Sequence, residues 1–133
     1  MPAGARREAR ERALSLLYEA GSKDLAPGAV LAELPVAPDR FVTVLVEGVG
    51  SDQAEIDRLI AEHAIGWTLD RMPVIDLVLL RLGAFELLHL ADVPTAVVIS
   101  EAVELAGQYS TDDSGRFING VLAKLAEVIR PDV

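Results

Sequence analysis

Apolar positions recur along this chain at the three- to four-residue spacing of helices, and no stretch alternates as a half-buried strand does. The strongest signal is PVIDLVLLRLGAFELLHL, from Pro73 to Leu90, whose apolar side chains would coat every side of a helix. A helix without a wet face sits inside a bundle and is packed on by others. At about 18 residues the stretch is nearly long enough to cross a bilayer. It carries Asp76, Arg81, Glu86 and His89, however, and a charge at mid-membrane costs about 2.5–3.5 kcal/mol. The pattern predicts the buried central helix of a soluble bundle, with no membrane association.

Around it the same spacing predicts further helices. Ala5 to Ala20 is amphipathic, with Ala9, Ala13, Leu16, Leu17 and Ala20 as its buried stripe and Gly21 as its stop. A short proline-led helix runs from Pro27 to Leu34 and ends at Pro35 and Pro38. The next begins near Asp39, with Phe41, Val42, Leu45, Val46 and Val49 on its core face. Ile56, Leu59 and Ile60 continue that face to about Ala64. Gly48 and Gly50 allow a kink or a split with Ser51 as cap, but the continuous face favours one long helix. Trp67 to Met72 is a connection with room for one helical turn. After the break at Asp92-Val93-Pro94, a helix to about Gln108 buries Val97, Val98, Ala102 and Leu105. The polar TDDSG loop offers carboxylates or Ser114 as caps for a last helix, Arg116 to Ile129, which buries Phe117, Val121, Leu122, Leu125 and Ile129. The fold class is all-α, with about seven helices and short loops.

Charge changes this picture in one place. The formal net charge of −9 opposes general binding to nucleic acid. Yet Arg6, Arg7, Arg10 and Arg12 crowd one helix end, and from Ala13 onward the chain holds eight basic against 19 acidic residues. At about 100° per residue, Arg6, Arg7 and Arg10 fan along one edge of the first helix, and Leu14 and Tyr18 continue that row. Guanidinium groups hold phosphate bidentately and stack on bases, so this edge is where a polyanion would bind. The bland reading is a solvated helix end paired with Glu8 and Glu11. An acidic remainder suits a basic protein partner.

Catalytic chemistry finds little footing. Absent cysteines exclude disulfides, a thiolate nucleophile and a Cys-based zinc site, and they fit a reducing cytoplasm. His63 and His89 lack a metal-ligand spacing. Gly48-Val49-Gly50 lacks the third glycine and the strand of a dinucleotide loop. Glu101 and Glu104 have no histidine to complete a di-iron motif. No catalytic residue, metal site or cofactor is expected, and the N-terminus lacks the long apolar core of a signal peptide.

In order, the chain carries Arg6-Arg7-Glu8-Ala9-Arg10 with Leu17-Tyr18, Leu45-Val46-Glu47-Gly48-Val49, Leu80-Arg81-Leu82, and Phe85-Glu86-Leu87. Ser100-Glu101-Ala102-Val103-Glu104-Leu105-Ala106 and Phe117-Ile118-Asn119-Gly120-Val121-Leu122 complete the series. With these blocks it resembles the NusB family of bacterial transcription antitermination factors over almost its full length. The last two blocks after an Arg-rich first helix are the most specific part. The resemblance implies one RNA-binding domain over residues 1–133, built of two packed helical parts, about 1–66 and 67–133. It implies binding of boxA-type RNA in ribosomal RNA leaders, with Arg6, Arg7, Arg10, Tyr18 and Arg116 as the contacts. It also implies a complex with NusE, a small-subunit ribosomal protein, facing Asp76 and Glu86, and action on the elongating RNA polymerase with other Nus factors.

On the central helix, Asp76, Gly83 and Glu86 fall along one line, and small Gly83 would allow a close backbone approach. Arg81 lies on the other side, where a core ion pair is the expectation. Glycine inside the last helix, at Gly120, costs about 1 kcal/mol against alanine, which predicts something packed close to it. Three positions depart from the family: Ser100 for a usual asparagine, Phe85 for a common tyrosine, and Ala123 where an acid can occur. Two rivals remain. A self-associating helical bundle, with a homodimer covering the Arg edge, is one. The other is a relative of the N-terminal domain of ribosomal RNA cytosine methyltransferases, which a chain without cysteine or a Rossmann unit hardly fits.

Overall fold

The computed structural model describes residues 3–132, and its regular elements are all helices. They are α1 (Ala3–Ser22), α2 (Pro27–Ala32), α3 (Arg40–Ser51), α4 (Gln53–His63), α5 (Val74–His89), α6 (Thr95–Tyr109) and α7 (Ser114–Ile129), with a 3-10 turn at Leu69–Arg71 before α5. No helix among the described residues is long and apolar enough to cross a membrane. The chain forms two compact units, residues 1–52 and 53–133.

In the first unit α1, α2 and α3 pack on one another. The stripe of α1 is buried as its spacing requires, at Ala9, Ala13, Leu16, Leu17 and Ala20, and so is Leu14. Pro27 opens α2, where its missing N–H costs nothing. Asp39 caps α3 by accepting a 2.8 Å hydrogen bond from the Phe41 N–H. Gly50 lets the Pro27 ring close in, since a Cβ there would lie 3.1 Å from it.

The expected single helix from Asp39 to Ala64 is two. Asp52 leaves helical geometry at φ −111° and ψ 15°, and its N–H closes α3 on the Gly48 carbonyl. The Ser51 hydroxyl donates back to the same carbonyl, so it finishes α3 rather than starting α4. The units therefore divide after Asp52, earlier than the expected division near residue 66, because α4 packs on α5 and α7.

The second unit is organised around α5, which meets α4, α6 and α7. Val78, Leu79, Leu80, Leu82, Ala84, Phe85 and Leu87 are buried on it. Gly83 is where α7 comes close: a Cβ at this position would sit 2.8 Å from both Leu122 methyl groups. The close approach is made by the chain's own last helix. Gly120 shows the reverse of what its place in a helix suggests, since nothing lies within 4 Å of a Cβ there. Val97, expected in the core, is exposed, while Ile118, which was not expected there, is fully buried. Phe117 and Ile129 are only partly buried.

Two arginines tie the second unit together. Arg81 reaches Asp57 of α4 with two bonds, Nε to Oδ1 at 2.8 Å and a terminal nitrogen to Oδ2 at 3.0 Å. The expected ion pair is present, but it is half-buried rather than in the core. Arg130, just past α7, donates to the carbonyls of Glu86, Leu87, Leu90 and Val93 and to the Thr95 hydroxyl. Among them is the Leu87 carbonyl, in the last turn of α5, where carbonyls run out of helical partners. A cation there also faces the negative end of the helix dipole.

Candidate nucleic-acid interface

The Arg-rich edge of α1 is built partly from α3. The Arg6 guanidinium carbon lies 5.0 Å from the Phe41 ring centroid, and that of Arg10 lies 5.6 Å from it. Both are within cation–π range. Asp39 fixes the ring's place by capping α3 two residues before it. The three arginines are graded in exposure. Arg7 is exposed, Arg6 is partly buried, and Arg10 is only 4% exposed. The expectation of three open guanidinium groups is thus corrected at Arg10, whose side chain lies inward over an aromatic ring. Tyr18, further along α1, is 46% exposed. Phe41 had the look of a plain core residue. A ring in the first turn of a capped helix, following an Arg-rich helix in the same unit, was its only signal.

In the second unit Arg116 is exposed on the first turn of α7. It borders two cavities. The larger, about 460 Å³, is lined by Trp67, Pro73, Asp76, Asp113, Arg116 and Phe117, with Thr111 and Ser114. The smaller, about 240 Å³, is lined by His63, Trp67, Arg116, Phe117, Gly120 and Lys124, among others. Trp67 and Phe117 stand between the two as a tilted pair, with centroids 5.7 Å apart and planes at 57°.

Asp76 and Glu86, expected as an acidic strip for a partner, are each only 2% exposed. That expectation is corrected as to surface: the two carboxylates form no open acidic strip. Asp76 accepts a hydrogen bond from the Ser110 hydroxyl. Ser110 in turn accepts from the Ser114 hydroxyl at 2.9 Å, and the Thr111 N–H donates to Ser114 Oγ at 3.2 Å. A buried carboxylate thus anchors the loop between α6 and α7, the loop that sets Arg116 and Phe117. Asp113 occupies the N-cap of α7 without a side-chain capping bond. Among the described residues no group of three acidic or histidine side chains could hold a metal ion.

Comparison with known proteins converges on one family. The model of the NusB family matches residues 7–127. The chain is 47% identical over 128 residues to the transcription antitermination protein NusB of Kineococcus radiotolerans, covering 93% of this chain and 94% of the relative. It is 50% identical over 131 residues to that of Salinispora arenicola, covering 92% and 96%. The solved structure of T. maritima NusB matches with a TM-score of 0.84 at 31% identity, over 96% of this chain and 92% of that one. A structure of antitermination factors NusB and NusE in complex with dsRNA matches with a TM-score of 0.81 at 27% identity, over 96% and 99%. With these matches running nearly end to end, the chain belongs to the NusB family.

Proposed function

We propose that this chain is a non-enzymatic transcription antitermination factor that binds boxA-type leader RNA of ribosomal RNA operons together with NusE. In this reading the pair acts on the elongating RNA polymerase with other Nus factors. The observation that carries it is the cationic corner of α1: Arg6 and Arg10 drawn over Phe41, with Arg7 exposed beside them, on a chain of net charge −9. Arg7 meets phosphate, the partly buried Arg6 lends its charge, and Tyr18 offers a ring to a base. Arg10 contributes from below, by holding the ring and the local positive field. On the second unit, exposed Arg116 offers a cation of its own.

The solved complex of NusB and NusE with dsRNA supports a joint mode of binding. Asp76 enters indirectly, through the α6–α7 loop it anchors. Glu86, buried as it is, enters as part of the α5 scaffold. The test is a titration of boxA RNA with and without NusE, using the parent chain and an Arg7→Ala/Arg10→Ala variant. The reading expects weaker RNA binding by the variant and tighter binding by the parent when NusE is present. Equal binding by parent and variant would remove the site assignment.

A further inference from the structure

Arg116, Gly120 and Lys124 stand four residues apart on one side of α7, so two cations flank a glycine. The helical rise sets the two cationic Cα atoms about 12 Å apart, a gap that two long side chains can close from both ends. Nothing lies within 4 Å of a Cβ at Gly120, which leaves a trough between them. His63, in the last turn of α4, lines the smaller cavity together with all three. Its Nδ1 lies 2.7 Å from the Leu59 carbonyl oxygen. A carbonyl only accepts, so Nδ1 carries the proton of the neutral ring and Nε2 is left as a proton acceptor. Of the chain's two lysines, Lys23 is held by Glu19 at 3.1 Å. Lys124 is exposed, and no ion pair or hydrogen bond holds it among the described residues.

We propose that Lys124 is a self-acylation site whose donor is a small acyl phosphate, acetyl phosphate being the simplest. The reaction needs no nucleic acid and stands apart from the RNA reading. A lysine amine attacks only after shedding a proton, and an adjacent base activates it. His63 Nε2 takes that first proton from the Lys124 ammonium. Arg116 grips the donor's phosphate, which its planar fork of N–H groups fits. Lys124 Nζ then attacks the acyl carbon. A nitrogen–carbon bond forms, the bond from that carbon to the phosphate oxygen breaks, and the second proton leaves Nζ with the departing inorganic phosphate. Nothing is oxidised or reduced. The product is a neutral amide, so a chain already at −9 loses one more positive charge, beside Arg116. The donor class follows from the spacing: guanidinium and amine share one small cavity, which suits a phosphate bonded directly to the reacting carbonyl.

Lys23 serves as a control inside the same molecule. The experiment incubates the full chain with a concentration series of acetyl phosphate and follows acetylation of both lysines in time by peptide mass spectrometry. The rate at Lys124 should saturate with donor, while that at Lys23 should rise in proportion to it. At low donor Lys124 should be labelled about tenfold faster than Lys23. Added inorganic phosphate should slow Lys124 and leave Lys23 alone. Arg116→Gln should raise the half-saturating concentration of acetyl phosphate several-fold. With 4-nitrophenyl acetate, a donor without phosphate, Arg116→Gln should label Lys124 as the parent does. His63→Gln, with unchanged circular dichroism, should slow Lys124 about tenfold with acetyl phosphate. Equal, unsaturating rates at the two lysines of the parent chain overturn the proposal. Parent-like rates at Lys124 in both Arg116→Gln and His63→Gln overturn it as well. Neither result touches the RNA reading, which is measured without an acyl donor.

Discussion

Arg81 grips both oxygens of Asp57, with bonds of 2.8 and 3.0 Å, and joins the centre of α5 to α4 across a partly shielded gap. Both side chains keep some solvent, 22% and 24% exposed, so the pair is neither a surface ornament nor a fully desolvated charge. Removing one partner leaves the other charge half-buried. Arg81→Ala and Asp57→Ala should each lower stability by about 1–3 kcal/mol. Chemical denaturation of both single variants and the double variant checks this. The double variant should lose clearly less than the two singles added together.

The glycines of α5 and α7 should respond in opposite directions. Gly83→Ala puts a methyl 2.8 Å from the buried Leu122 methyls, and overpacking of this kind costs about 1–3 kcal/mol, offset in part by about 1 kcal/mol of helix propensity. The net effect should be a loss that Leu122→Val relieves. Gly120→Ala meets nothing and should raise stability by up to about 1 kcal/mol. Thermal melts of the two variants, side by side, decide the matter.

Arg130 offers a third test. It closes α5 and the turn into α6 by donating to four carbonyls and a hydroxyl. Arg130→Ala should cost about 2–4 kcal/mol, because charged hydrogen bonds are lost and the Leu87 and Val93 carbonyls lose the donor that reaches them. Arg130→Lys should recover only part of this, since an ammonium cannot fan five donors across a plane. Hydrogen exchange should show early opening at Leu90 and Val93, whose amides close that turn.

Much of this was legible in the sequence, and the reasons for what was not are physical. An α5 with apolar residues on every side could only be a central helix, and Arg81 within it could only be paired. The division after Asp52 was hidden because the apolar face runs on through Ile56, so periodicity alone could not see a one-residue break. A helical wheel puts Arg10 in the open because it gives direction and not depth, and Phe41, which draws it inward, comes from another helix. The burial of Asp76 and Glu86 was likewise invisible, since it depends on what packs around α5. Trp67 reads as part of a connection, although a lone tryptophan between Gly66 and Thr68 marks a place where a large ring has no helix stripe to join.

Phe41 should matter to RNA binding without touching the charge count. Phe41→Leu keeps an apolar side chain at the start of α3 but removes the ring beneath Arg6 and Arg10. Each cation–π contact is worth about 0.5–2 kcal/mol. The variant should therefore bind boxA RNA several-fold more weakly while its formal charge stays at the parent value of −9. Anisotropy titration at fixed salt measures the difference, and circular dichroism confirms that the helices remain.

The most direct test of the central claim is the salt dependence of boxA RNA binding, measured for the parent chain and for Arg7→Ala. Each phosphate met by a cation releases counterions, so log affinity should fall steeply with log salt. Arg7→Ala should reduce that slope by about one and weaken binding at every salt concentration. A flat response in the parent, or parallel and coincident lines for the two proteins, would contradict the claim that the guanidinium corner of α1 holds the transcript.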